Sequence, residues 1–243
     1  MFLEIDNVSK TFEDAEFPTI HNINLGIEKG EFICVVGRSG CGKSTLLNMI
    51  AGLLSPTSGE IRLEGRKIEA PGADRVVMFQ EHALFPWLNT LENVKFGLKL
   101  TDMPDEECTA IAEKYLAMVQ LSDYRDYPIH KLSGGMRQRV ALARAFSMGA
   151  EVLLMDEPFS ALDKQTSNTL RRELSCMSAE TGQTIFFITH SVEEAVYLAD
   201  RVVVMTPNPG MVKSVLKVEL GPGRDRTSAD FVRLKERIFA IFN

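Results

Sequence analysis

An α/β fold follows from three features of the sequence. Continuous apolar runs lead straight into helices, two alternating segments stand near the start, and a long middle stretch has helical spacing. Phe32-Ile33-Cys34-Val35-Val36, Arg75-Val76-Val77-Met78-Phe79, Val152-Leu153-Leu154-Met155 and Thr184-Ile185-Phe186-Phe187-Ile188-Thr189 read as buried strands. Phe2 to Val8 and Ile20 to Ile27 alternate apolar and polar residues, as half-buried antiparallel strands do. From Leu84 to Gly149, apolar residues recur three and four apart, which predicts an inserted helical subdomain. A chain of 243 residues has ample surface to bury as a core.

The first pair of strands is separated by Ser9-Lys10-Thr11-Phe12. Phe12, on a loop ahead of the next motif, can stack on a purine ring or simply cover the sheet edge; Phe17 is the other candidate. After the Lys29-Gly30-Glu31 turn and the strand at 32–36 comes Gly37-Arg38-Ser39-Gly40-Cys41-Gly42-Lys43-Ser44-Thr45, followed by the helical Leu46 to Gly52. Glycines between a strand and a helix let successive N–H groups point inward, and the positive end of the helix adds to their pull on an anion. Lys43 then reaches the β- and γ-phosphates of a nucleotide and the Ser44 hydroxyl sits on Mg²⁺, which is why both follow the last glycine directly. Cys41 lies in this loop near a helix N-terminus and a lysine, which favours a reactive thiolate. The alternative is a small space-filler with its thiol turned inward.

Ser55-Pro56-Thr57-Ser58-Gly59 is turn chemistry before the strand Glu60 to Leu63. Gln80 ends the next strand, either as a plain polar terminus or as a side chain that binds Mg²⁺ or orients water. Within the middle stretch, helices are expected at Thr90 to Leu100, Asp105 to Val119 and Gly135 to Ser147. The last opens on Leu132-Ser133-Gly134-Gly135-Met136, where Ser133 can cap the helix and the glycines leave room for a phosphate. Two such cradles, on Lys43 and on Ser133, can share one nucleotide if two chains pack head to tail.

The strand from Val152 ends in Asp156-Glu157. A carboxylate at a strand end can hold Mg²⁺ through water, and its neighbour can take a proton from water attacking a γ-phosphorus. Ser160-Ala161-Leu162-Asp163 is a loop, and the strand from Thr184 ends at His190, a strand-end polar residue or a γ-phosphate contact. In the tail, Phe231, Leu234, Ile238 and Ile241 mark one apolar face of a helix at 228–242, which Thr227 or Ser228 can start.

A formal net charge of −6 argues against non-specific nucleic-acid binding, which depends on clustered Lys and Arg. Cys34, Cys41, Cys108 and Cys176 have neither disulfide-framework nor zinc-site spacing, as expected in a reducing compartment. Charges at Glu4 and Asp6 come too early for a signal peptide, and no apolar run approaches about 18 residues, so a cytoplasmic chain is expected.

Taken in order, the phosphate loop, Gln80, Leu132 to Met136, Asp156-Glu157, Ser160 to Asp163 and His190 resemble the ATP-binding cassette subunit of an ABC transporter over essentially the full length. The resemblance implies a P-loop NTPase of ABC type: a mixed central sheet, an antiparallel β subdomain and an α-helical insertion. It places the ATP-binding core at 1–83 and 150–243, the helical subdomain at 84–149 and a C-terminal helix at 228–242. It further implies two ATP and Mg²⁺ sandwiched in a dimer with a second copy, each nucleotide held by residues 37–45 and Phe12 of one chain and by Ser133, Gly134, Gly135 and Asp163 of the other. By the same resemblance Glu157 is the catalytic base, His190 the γ-phosphate contact, Ser44, Gln80 and Asp156 the metal-side residues, and Asp163 a link between the two sites. Met136 departs from the Gln usual there, at a variable position.

Pro86-Trp87 soon after Gln80 and the tail Gly223-Arg224-Asp225-Arg226 resemble the branch that serves nitrate, sulfonate, taurine and bicarbonate importers. The expected partners are then membrane permease subunits, gripped through the helical subdomain and the Gln80 loop, with Phe85 and Trp87 helping to form an apolar groove for a permease helix, and indirectly an extracytoplasmic solute-binding protein. The expected location is peripheral, on the cytoplasmic face of the membrane. The competing class is a soluble ABC ATPase without a transport role, although such proteins usually carry two cassettes or a long insertion. A P-loop kinase would leave Leu132 to Met136 and His190 without a job.

Overall fold

A computed structural model describes residues 1–79, 83–221 and 223–242. In chain order the elements are β1 (Leu3–Lys10), β2 (Ile20–Ile27), β3 (Phe32–Val36), α1 (Lys43–Ile50), β4 (Ser58–Leu63), β5 (Arg66–Lys67), β6 (Arg75–Met78), α2 (Thr90–Lys95), α3 (Asp105–Met118), α4 (Gly134–Ser147), β7 (Val152–Asp156), α5 (Lys164–Thr181), β8 (Thr184–Thr189), α6 (Val192–Leu198), β9 (Arg201–Met205), β10 (Val212–Lys217) and α7 (Ala229–Phe242). The chain divides into two compact units, Met1–Arg75 with Gln183–Asn243, and Val76–Gly182.

The first unit holds both kinds of sheet that the sequence predicts. An antiparallel sheet runs β2-β1-β4-β5, and its alternating segments bury Leu3, Ile5, Val8, Ile23, Leu25 and Ile27. Beside one another in the second sheet run β10, β9, β3 and β8, the last three parallel and β10 antiparallel to β9. Every residue of β3 and β8 is buried, which is why these strands read as unbroken apolar runs rather than alternations. The register aligns Val36 of β3 with Thr189 of β8 and Val204 of β9, so the loops after β3 and β8 leave the sheet at one end. Helix α7 starts where Ser228 Oγ accepts the Phe231 N–H. It packs through buried Phe231 and Ile238 against its own unit, on α6, β9 and β10.

The second unit contains α2, α3, α4 and α5, with β7 beside β6. The first expected helix breaks early: α2 ends at Lys95, and a short 3-10 turn at Leu98–Leu100 completes the stretch. Gly97 lies between the two with helical backbone, and a Cβ there would lie 2.0 Å from Met148 Sδ, so glycine is the residue that fits against that side chain. No helix among the described residues is long and apolar enough to cross a membrane.

Candidate functional site

In the first unit the buried strand β3 delivers the chain to the loop 37–42, and α1 begins at Lys43. Gly42 caps α1 with φ 87°, and no side chain caps the helix, so its first N–H groups are presented by backbone alone. A Cβ at Gly42 would lie 2.2 Å from Ile20 Cγ2, which leaves glycine as the residue that fits. Gly40, also in the left-handed region at φ 79°, faces open space. Lys43 is only 6 % exposed, and its Nζ donates to Gly37 O at 2.8 Å and Arg38 O at 3.2 Å. Arg38, Ser39, Gly40 and Ser44 are exposed and Thr45 is half-buried. The arrangement is a backbone cradle with a lysine curled beneath it, ready to exchange carbonyl partners for an anion.

Cys41 does not fit the expectation of a reactive thiol. It is fully buried, with Sγ where a Cβ on Gly37 would lie 2.4 Å away. Burial raises its pKa, and the nearby Lys43 offsets this only in part. A low-pKa thiolate needs access and a positive surround, and here desolvation dominates. Cys34 and Cys108 are buried as well, whereas Cys176 on α5 is exposed. Brief maleimide treatment is therefore expected to label Cys176 first. Mass mapping that finds Cys41 labelled as fast as Cys176 would contradict this.

At the neighbouring strand end, β8 stops at Thr189, whose Oγ1 donates to buried Glu194 and accepts the Ser191 N–H at 3.0 Å. Ser191 Oγ in turn caps α6 by accepting the Glu194 N–H at 3.3 Å. These bonds fix the backbone on both sides of His190, whose side chain is exposed. The Ser191-Val192-Glu193-Glu194 spacing is a capping box, so this lock was readable from the sequence although it was not part of the expected site.

A cavity of about 490 Å³ lies beside the loop, lined by Phe17, Pro18, Thr19, His21, Gly40, Asn208 and Pro209. Of the two aromatic candidates, Phe17 (71 % exposed) forms its wall, while Phe12 (43 % exposed) carries Lys10 Nζ 5.4 Å over its ring.

The second unit gathers the remaining motifs. Ser133 Oγ accepts the Met136 N–H at 3.2 Å and caps α4, with no acidic residue in the first turn to repel an anion. A Cβ on Gly135 would lie 2.6 Å from Thr166 Cγ2, so the start of α4 packs on the start of α5. Asp163 caps α5 by accepting the Gln165 and Thr166 N–H groups, each at 3.0 Å, and hydrogen bonding from Thr166 holds its carboxyl below the usual carboxylate value. Asp156 is the last residue of β7. Glu157 follows with φ 45°, left-handed backbone rare for a non-glycine residue, and its carbonyl accepts Ser160 N–H at 3.2 Å and Ser160 Oγ–H at 3.0 Å. Gln80 lies outside the described residues.

The same unit carries a groove of about 250 Å³ walled by Phe79, Phe85, Phe96, Ala141, Arg144 and Met148. The Phe85 ring centroid lies 4.2 Å from Phe96 and 5.4 Å from the exposed Trp87. The Arg144 guanidinium lies 5.6 Å from the Phe85 ring and donates to Ala83 O at 2.9 Å.

The uncapped α1 terminus, the open space at Gly40 and the buried Lys43 fit a nucleotide's phosphates. In the first unit the exposed Ser44 hydroxyl, and in the second the Asp156 carboxylate at the end of β7, are each a hard oxygen donor of the kind Mg²⁺ takes. No cluster of three or more His, Cys, Asp or Glu among the described residues could hold a metal alone, and Mg²⁺ in such sites completes its shell with water and substrate phosphates.

Comparison with known proteins agrees with this chemistry. Residues 20–160 match the family model described as ABC transporter. The chain is 48% identical over 241 residues to an uncharacterized ABC transporter ATP-binding protein of Methanocaldococcus jannaschii, covering 98% of this chain and 90% of the relative. It is 46% identical over 230 residues to the bicarbonate transport ATP-binding protein CmpD of a Synechocystis strain, covering 93% and 82%. Among solved structures, cbiO1 of Clostridium perfringens, part of the ABC transporter complex cbiONQ, superposes with TM-score 0.82 at 27% identity, over 90% of this chain and 89% of that one. A dimeric bacterial ABC transporter cassette superposes with TM-score 0.78 at 32% identity, over 90% and 100%. The same cassette has been solved in a dimeric post-hydrolysis state bound to ADP and Pi, at TM-score 0.76.

Proposed function

Because the chain belongs to the ABC transporter family of ATP-binding proteins, we propose that it powers import of a small solute, of the nitrate, sulfonate, taurine or bicarbonate type, through a membrane permease. It is an ATP-hydrolysing subunit of a transporter. The observation that carries the proposed chemistry is the buried Lys43 beneath an uncapped, glycine-lined helix start.

Residue by residue, the N–H groups of 37–45 and Lys43 Nζ bind the ATP phosphates, and Phe12 supports the base. Glu157 accepts the proton of the water that attacks the γ-phosphorus, and His190 hydrogen-bonds the γ-phosphate. Mg²⁺, when bound, neutralises charge on the β- and γ-phosphates; Ser44, Gln80 and Asp156 are the residues that would hold it. A second copy contributes Ser133, Gly134 and Gly135 at the free N–H groups of α4, and Asp163 from the start of α5, so that ATP draws two chains together head to tail. The dimeric cassette among the structural relatives supports this arrangement. Steady-state hydrolysis by the purified chain tests the reading. Phosphate release that needs ATP and Mg²⁺ and is cooperative in ATP is expected, and absence of any release with the permease present would refute it.

The permease contact is assigned to the Phe85 groove, which is largely apolar and aromatic and has the exposed Trp87 ring against Phe85, as suits the apolar face of a short helix. A complex containing such a chain is named among the relatives, cbiONQ. The import direction rests on the bicarbonate transport relatives, which also favour a transport role over a soluble ABC ATPase. An extracytoplasmic solute-binding protein and a peripheral position on the cytoplasmic face complete the proposal. A Phe85→Ala, Trp87→Ala double variant is expected to keep the hydrolysis rate of the isolated chain within about twofold and to lose co-purification with the permease from detergent-solubilised membranes. Undiminished co-purification would place the contact elsewhere.

A further inference from the structure

The seam between α4 and α5 contains a polar side chain that the roles above leave unused. Gln138 on α4 is fully buried, and neither its amide nitrogen nor its amide oxygen has a hydrogen-bond partner among the described residues. Buried amides are almost always paired, and an orphan costs its full desolvation. Gln138 lies three residues after Gly135 and so on the same helix face. Gly135 meets Thr166 in the first turn of α5, and Arg139 forms a 2.8 Å ion pair with Glu173 farther along α5. Gln138 therefore sits between two α4–α5 contacts. Next to Thr166, Ser167 is also buried, and its hydroxyl is likewise without a partner among the described residues. A fully buried amide with both polar atoms unpaired, set between the two α4–α5 contacts, indicates packing that is not at its most stable for this state alone.

We infer that Gln138 is a positioning residue for hydrolysis: its amide finds hydrogen-bond partners when ATP closes the dimer and α4 and α5 shift against each other, so that the Ser133–Gly135 turn and the Asp163-capped start of α5 move as one. The inference rests on the proposed role of Ser133 at the partner's nucleotide. A seam that is under-satisfied when open and satisfied when closed favours closure, because ATP binding is then coupled to formation of these bonds. An ordered water at Gln138 would instead satisfy the amide in both states and would make it a purely structural group.

Gln138→Met keeps the shape and removes both polar atoms. Its expected signature is a Tm unchanged or raised by roughly 2–4 °C, since an unpaired buried amide is replaced by an apolar group. Nucleotide affinity of the single chain should stay within about twofold, while ATP-driven pairing should weaken and kcat at saturating ATP should fall about tenfold or more, the equivalent of about one lost hydrogen bond. Wild-type kcat in a folded Gln138→Met protein would overturn the inference, as would a Tm lowered by several degrees, which would mean that the amide is already satisfied in the open state. Should the variant not fold, hydrogen–deuterium exchange on the otherwise native Glu157→Gln protein supplies the test. ATP is expected to protect the first-turn amides of α5 relative to ADP, and equal exchange would overturn the inference. Ser133→Arg, measured in parallel, separates the two ideas. If it hydrolyses ATP normally, the shared-site reading has failed; if it is inactive while Gln138→Met is fully active, only the role of Gln138 has failed.

Discussion

Glu157→Gln is expected to bind ATP as the parent does and to hydrolyse it at least 10²-fold more slowly. General-base assistance is typically worth 10²–10⁴ in rate, and 10² corresponds to about 2.7 kcal/mol of transition-state stabilisation. The amide occupies the same volume and tolerates the same backbone, so the φ of 45° at this position is not disturbed. What is lost is a group able to take the proton from the attacking water. Single-turnover measurement of bound ATP conversion isolates that step from nucleotide binding. A conversion rate within about threefold of the parent would remove Glu157 from the role of base and leave its left-handed backbone without a functional explanation.

The second large effect concerns Lys43. Its Nζ is the polar terminus beneath the loop, held by two backbone carbonyls, and in the proposed complex it turns to the phosphates. Lys43→Ala should weaken ATP binding on the order of 10- to 100-fold, the range expected for lost charge-assisted hydrogen bonds. It also leaves the carbonyls of Gly37 and Arg38 without the Nζ donor, so a fall in Tm should accompany the loss. Ser133→Arg, by contrast, should leave the chain's own loop intact and block the partner's site. Mixed dimers of the two variants would contain one doubly damaged site and one undamaged site, and part of the activity should return. Proven mixed dimers with no recovered activity, together with full activity in Ser133→Arg alone, would refute the head-to-tail sharing of residues.

Much of this architecture is legible in the sequence. The apolar runs of β3 and β8 announce strands buried on both faces, and the alternation in β1 and β2 announces an antiparallel sheet. Ser133, Asp163 and Ser191 cap α4, α5 and α6 through their own side chains, a local interaction that sequence spacing encodes. Features set by distant residues were not legible. The need for glycine at position 97 comes from Met148, about fifty positions away, and the inward turn of the Cys41 thiol depends on the space above Gly37. That Phe17, and not Phe12, lines the cavity at Gly40 depends on how the β1–β2 loop returns past Asn208 and Pro209. The backbone of Glu157 is a further case, since two carboxylates in sequence give no sign that the second will adopt φ 45°. Motif order located the site residues because each motif is local; side-chain direction is decided by tertiary packing, which local sequence does not carry.

The most direct test of ATP-driven pairing is the solution mass of Glu157→Gln by light scattering, with and without ATP. Slow hydrolysis should let the nucleotide hold two chains together. The mass is expected to double on adding ATP, to stay monomeric with ADP, and to stay monomeric with ATP when Ser133→Arg is added to the same chain. A mass that does not respond to ATP, or one that doubles regardless of Ser133, would contradict the proposal that each nucleotide is shared between the loop at Lys43 and the α4 terminus of a second copy.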